Sequence, residues 1–103
     1  MNAVTSKKKT ELPLALLQRM AEVLKLLAHP HRLQIVEMLE DTEGAPVFEI
    51  TARLDVSQAV ASQHLTAMKR IGLLQAERRG KEVWYSIADP RALTILDCIR
   101  KKR

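Results

Sequence analysis

Aromatic side chains are nearly missing from this sequence: one Trp, one Tyr and one Phe among 103 residues. The interior of the domain must therefore be built from Leu, Ile, Val, Ala and Met. Ala and the unbranched aliphatics among these lose little rotamer freedom in a helix, so a mainly helical fold is expected. A single cysteine, Cys98, excludes an internal disulfide. Small secreted domains usually depend on such staples, so a reducing, cytoplasmic setting is expected. No apolar run is long enough to span a membrane, and none follows the lysines of "MNAVTSKKKTELP". Neither a membrane partner nor a signal peptide is expected. Repeats and low-complexity tracts are also lacking.

What is present is a lopsided charge. The net charge is +5. Up to Val56 there are 7 basic and 8 acidic residues; from Ser57 onward there are 10 basic and 4 acidic. The positive field thus belongs to the C-terminal half, which points to a polyanionic partner, nucleic acid first. A chain of this length supports one core. Residues 1–10 are expected to form a disordered basic arm, and residues 11–103 a single domain.

The periodicity gives the order of elements. Glu11 to Ala28 reads as a helix with Leu16, Leu17, Met20, Val23, Leu24 and Leu27 on one stripe. Leu14 and Leu26 lie off it, so the helix is apolar around more of its circumference than one small core can cover. In "AHPHR", Pro30 ends that helix and suits the first turn of a second, which runs to about Glu40. "DTEGAP" reads as a loop. A short helix fits Val47 to Leu54. Ser57 is a good N-cap for the next helix, which ends at Gly72. Leu74 and Ala76, then Val83, Tyr85 and Ile87, alternate with polar residues on either side of Arg79-Gly80-Lys81, the signature of a β-hairpin. Asp89-Pro90 opens a last helix with Ala92, Leu93, Leu96 and Ile99 on its stripe. The expected fold is mainly α with a small β-hairpin: a winged helix-turn-helix in the order α-α-α-α-β-β-α.

The stretch "SQAVASQHLTAMKRIGLL" has the most telling surface. Ala61, Leu65 and Met68 recur at helical spacing and face inward. The opposite side offers Ser57, Gln58, Ala59, Ser62, Gln63, Thr66 and Lys69, and no acid occurs between Val56 and Ala76. A carboxylate would be repelled by phosphates. Gln pairs with adenine edges, Ser and Thr bond phosphates or bases, and Ala touches a thymine methyl. These residues are the expected contacts to double-stranded DNA. His64 is grouped with them as a phosphate contact; its ordinary alternative is a half-buried link to the supporting helices. Arg78, Arg79 and Lys81 cluster at the hairpin tip, as a wing gripping the backbone or minor groove requires.

Two segments carry a resemblance to a known family. "LKLLAHPHRLQIVEML" and "LDVSQAVASQHLTAMKRIGLLQAERRGKEVWYSI" resemble the ArsR/SmtB family of bacterial winged-helix transcriptional repressors. Pro30, Arg32, Leu33, Ile35 and Leu39 match in the first; Ser57, Gln58, Ser62, His64, Leu65, Gly72, Leu73, Gly80 and Tyr85 match in the second. The resemblance implies a homodimer, joined by the first and last helices and binding a pseudo-palindromic operator. Leu14, Leu17, Leu93, Leu96 and Cys98 are the expected interface residues, in keeping with the surplus apolar surface of those helices.

The resemblance also implies metal ligands in many members. One family site uses cysteines on the helix before the turn, here "VFEITARL", which has no Cys or His. Another uses acid and His pairs on the last helix, here "DPRALTILDCIRKKR", which has no His. No metal or other cofactor is therefore expected at those positions. His29 and His31 remain as a weak metal hint, against a plain role in helix capping or interhelix hydrogen bonding. Cys98 is expected as an inert interface side chain, with oxidation across a two-fold axis as the alternative. Glu49, Asp55, His64 and Cys98 are scattered without motif spacing, so no enzyme is expected. A winged helix used as a protein–protein module is the alternative function. It is disfavoured by the lack of acidic residues on the Gln58–Thr66 face.

Overall fold

His29 sits in extended backbone (φ −153°, ψ 125°), and its Nδ1 accepts the His31 backbone N–H at 3.1 Å. With Pro30 at the first helical position, this caps one helix at the point where another has just ended. The computed structural model describes residues 11–101. The arm expected over residues 1–10, and Lys102 and Arg103 at the other end, lie outside the described residues. The elements are α1 (Leu14–Leu27), α2 (Pro30–Leu39), β1 (Ala45–Pro46), α3 (Val47–Leu54), α4 (Gln58–Arg70), β2 (Leu74–Arg79), β3 (Glu82–Ile87) and α5 (Arg91–Lys101).

The helix-turn-helix is α3, a three-residue turn and α4. Asp55 closes α3 in the left-handed region (φ 58°), its N–H bonding Thr51 O at 3.1 Å. Ser57 Oγ then accepts the Val60 N–H at 3.2 Å and starts α4, as expected of a Ser N-cap. Ala61, Leu65 and Met68 on α4 are each 0% exposed. They pack on Ile35, Val36 and Leu39 of α2 and Ile50 and Leu54 of α3, in one core that Val23, Leu27 and Leu96 extend into α1 and α5. Burying a Leu or Ile side chain fully is worth about 1.5–3 kcal/mol, so this face of α4 fixes the helix while its other face stays open.

The hairpin pairs Leu74 with Ile87 and Arg79 with Glu82, antiparallel throughout. Leu74, Ala76, Val83, Tyr85 and Ile87 share the face toward the core. Gln75, Glu77, Arg79, Glu82, Trp84 and Ser86 share the outer one, where Gln75 Nε2 donates to Ser86 Oγ at 3.2 Å. Asp89 Oδ1 accepts the Arg91 N–H at 3.0 Å, so the last helix is capped where expected and begins one residue after Pro90.

Three features differ from expectation. The "DTEGAP" loop contains a strand, β1, which pairs Ala45 with Tyr85 and Pro46 with Trp84 and makes the sheet three-stranded in the order β1-β3-β2. Two residues, one of them Pro, show no alternation from which a strand could be read. On α1, the inward face is Met20, Val23 and Leu27. Leu17 and Leu24, expected on the same stripe, are 47% and 53% exposed and form a second apolar face with Leu14, which is 68% exposed. On α5, Leu96 is only 8% exposed and belongs to the core, not to an interface as expected. The helix turns that side chain onto α2, leaving Ile99 and Cys98 outside.

Candidate nucleic-acid interface

The open face of α4 carries Gln58, Ala59, Gln63, Thr66 and Lys69 exposed, with Ser62 half-buried among them. Ser57 is exposed at its start; the hydroxyl oxygen is engaged by the cap, leaving the O–H to donate outward. Lys69 and Arg70 lie in the last turn. The face therefore grades from neutral hydrogen-bonding groups to cations along its length. Between α4 and the hairpin runs a groove of about 380 Å³ lined by Gln58, Ser62 and Thr66 on one side and by Lys81, Glu82, Val83 and Tyr85 on the other, so the α4 wall carries no acid while the wing wall carries one carboxylate beside Lys81. Phe48 of α3, 62% exposed, stands at its edge. The helix face and the wing thus bound one concave surface.

The three wing cations are not equivalent. The Arg79 guanidinium pairs with Glu77 at 3.1 Å and lies 4.2 Å from the centre of the Trp84 ring. Trp84 Nε1 in turn donates to Glu82 at 3.2 Å. Arg79 is thereby held on the outer face of the hairpin. Among the described residues, Arg78 and Lys81 make no ion pair. Arg78 lies on the strand face turned toward α4, and Lys81 lines the shared groove.

His64, expected among the DNA contacts, is instead on the inner side of α4 and only 7% exposed. Its Nδ1 accepts a hydrogen bond from Arg32 Nε at 3.1 Å, while Arg32 Nη1 reaches Leu26 O at 3.1 Å. Burial, with the charges of His29, Arg32 and His31 added, holds the His64 imidazole below its usual titration range. The residue therefore links the recognition helix to α2 and does not face the groove. Arg32 was legible only as a matched position in "AHPHR". Its role needs α1, α2 and α4 brought together, which no local pattern reveals. The same is true of Arg19, whose Nη2 donates to Ile71 O at 2.9 Å just beyond the end of α4.

A helix exposed along a neutral-to-basic face, supported on two others and flanked by a basic hairpin, defines a winged helix-turn-helix DNA-binding domain. Residues 27–75 match the family described as "Helix-turn-helix domain". The chain is 41% identical to the transcriptional repressor PagR of Bacillus anthracis, over 74% of this chain and 76% of that protein. It is 33% identical to the transcriptional activator HlyU of Vibrio cholerae, over 77% of this chain and 72% of that one. Its fold superimposes with a TM-score of 0.73, at 29% identity, on the homodimeric winged helix-turn-helix DNA-binding domain of a possible ArsR-family regulator from Mycobacterium bovis; the match covers 92% of this chain and 87% of that one. The chain belongs to the ArsR/SmtB family of winged-helix transcriptional regulators, DNA-binding proteins and not enzymes. No helix among the described residues is long and apolar enough to cross a membrane.

Proposed function

We propose that this protein is a homodimeric, sequence-specific repressor that binds a pseudo-palindromic operator in the cytoplasm. The observation that carries the reading is the acid-free open face of α4, which shares one groove with Lys81 of the wing. In this reading α4 lies in the major groove with Gln58, Ala59, Ser62, Gln63 and Thr66 toward the base edges, and Ser57 and Lys69 toward phosphates. Arg78 and Lys81 take the flanking backbone. Two copies joined through the exposed leucines of α1 present two such helices to half-sites one helical turn apart. The homodimer of the Mycobacterium bovis neighbour and the repressor activity in PagR's name support both parts of the reading; HlyU's name supplies the opposite sign.

The test is a gel shift of the chain on the DNA upstream of its own coding sequence, at two salt concentrations, joined to a promoter-reporter assay. Preference for that DNA over random duplex, weakening with salt, and a reporter that rises when the protein is removed are the expected results. Equal binding to random duplex would remove the specific operator. A reporter that falls when the protein is removed would make it an activator.

A further inference from the structure

The fold gathers all three histidines of the chain. Pro30 breaks the path between α1 and α2, so that His29 and His31 straddle the first turn of α2, and the core packing of α4 brings His64 up against both. The ring centroids lie 4.5 Å apart for His29 and His64, 5.5 Å for His29 and His31, and 5.7 Å for His31 and His64. One ring nitrogen from each lies within 4.8 Å of the other two. We propose that His29, His31 and His64 form a binding site for a borderline divalent transition-metal ion, Zn(II) by preference, with an exchangeable water completing the coordination.

The chemistry of the donor set selects the ion. No thiolate or carboxylate belongs to the group. Three neutral imidazoles suit Zn(II), Co(II), Ni(II) or Cu(II) and are poor ligands for Mg(II) or Ca(II). A tetrahedral Zn(II) site with Zn–N of about 2.0–2.1 Å needs nitrogens about 3.4 Å apart. The nitrogens, up to 4.8 Å apart, must therefore close by up to about 1.4 Å, through rotation of the imidazole rings, when the ion binds. His29 and His31 are half-buried, which leaves a side open for the ion and its water, while buried His64 forms the floor.

Two hydrogen bonds compete with the ion. His29 Nδ1 accepts the His31 N–H and His64 Nδ1 accepts Arg32 Nε, each at 3.1 Å. In neutral rings bonded this way the proton sits on Nε2. An ion must either take Nδ1 and displace the donor, or take Nε2 and drive the proton to Nδ1, which removes the acceptor. Either route exchanges the side-chain cap of α2 and the Arg32–His64 link for metal bonds. The Arg32 cation also opposes a dication beside it. Because His64 belongs to α4, the bound ion would tie the recognition helix to the α1–α2 turn directly.

The full chain is titrated with Co(II), read by its visible absorption, then with Zn(II) in competition, and melted with and without Zn(II). One ion per chain, a raised melting temperature in Zn(II) and no effect of Mg(II) are expected. His31→Gln, at a half-buried position, is expected to weaken binding at least about tenfold. Arg32→Gln is expected to tighten it, and Cys98→Ser to leave it unchanged. Absence of Co(II) bands together with an unchanged melt in Zn(II) would overturn the site. So would full binding by the His29→Gln/His31→Gln double variant, which would place the ion elsewhere. Circular dichroism of each variant separates lost ligation from lost fold.

Discussion

A single absent methyl group lets β1 reach the sheet. Gly44 has φ +128°, and a Cβ built there would meet Tyr85 O at 3.0 Å. Gly80, at the hairpin tip, also has a positive φ of +64°, but a Cβ there would meet nothing within 4 Å. The two positions separate backbone strain from collision. Gly80→Ala should cost about 1 kcal/mol, the ordinary penalty for a left-handed residue. Gly44→Ala should cost about 2 kcal/mol or more, because its φ lies where only glycine is comfortable and the neighbour is backbone that cannot swing away. Urea denaturation of the two variants measures the difference; equal losses would mean that β1 does not depend on this approach. Asp89 poses a second question at this scale. Its carboxylate accepts the Arg91 N–H and pairs with the Arg91 guanidinium at 2.9 Å, and this bonding holds its pKa below the usual 3.8. A carboxyl whose folded pKa is depressed stabilises the fold above its unfolded pKa and loses that contribution as pH falls. Asp89→Ala should therefore cost about 1 kcal/mol at neutral pH, typical of a lost cap. The gap from the unsubstituted chain should close in acid, as denaturation curves taken down through the carboxylate range would show.

At the scale of elements, the proposed function has the recognition helix and the wing divide the work of binding between sequence and charge. Gln63 is exposed on the open face of α4 and carries no charge to offset. Gln63→Glu places a carboxylate among phosphates and should weaken operator binding about tenfold or more, with the fold intact. On the wing, Arg78→Ala and Lys81→Ala should weaken binding to every duplex alike and lower the salt slope by about 1 each. Arg79→Ala should do less, since Glu77 and Trp84 already hold that guanidinium. Fluorescence anisotropy across a salt series measures all four. Much of these elements was legible beforehand. Ser57, the inward spacing of Ala61, Leu65 and Met68, and the alternation around Gly80 are local patterns, and the helix and hairpin follow them. What was not legible depends on contacts across the chain. His64 shares the inward helical spacing of Ala61, Leu65 and Met68 although its polar type suggests the surface, and its burial is tolerated because α2 supplies Arg32 to satisfy its ring nitrogen. β1 has no pattern of its own and exists because Tyr85 and Trp84 present an edge to it.

Among the described residues there is more apolar surface than the core covers, and its longest row lies along one side of α1, with Phe48, Val60 and Ile99 exposed singly elsewhere. Leu14, Leu17 and Leu24 recur at helical spacing and are 68%, 47% and 53% exposed, and Leu12 just before them is 51% exposed. Isolated exposed leucines are ordinary, but a row of them along one helix is the mark of an interface. On α5 the corresponding outward residues are Ile99, 47% exposed, and Cys98, whereas Leu96 faces α2. A two-pronged pair between Arg100 and Glu40, at 2.9 and 2.6 Å, joins the end of α5 to the residue that follows α2. Two kinds of substitution then have opposite signatures. Leu17→Glu alters a side chain that the single chain leaves open; it should leave helical content and the single-chain core intact, yet shift the species in solution from dimer to monomer. On the proposed palindromic operator a monomer would reach only one half-site, so operator affinity should fall by far more than the loss of any one contact in the groove. Leu96→Ala removes a side chain from the core instead. It should cost about 2–5 kcal/mol of stability, with any loss of dimer following from unfolding. Light scattering after size exclusion, paired with thermal melts, tells these apart. A Leu17→Glu protein that stays dimeric would move the interface off α1, and the exposed leucines would then need another partner.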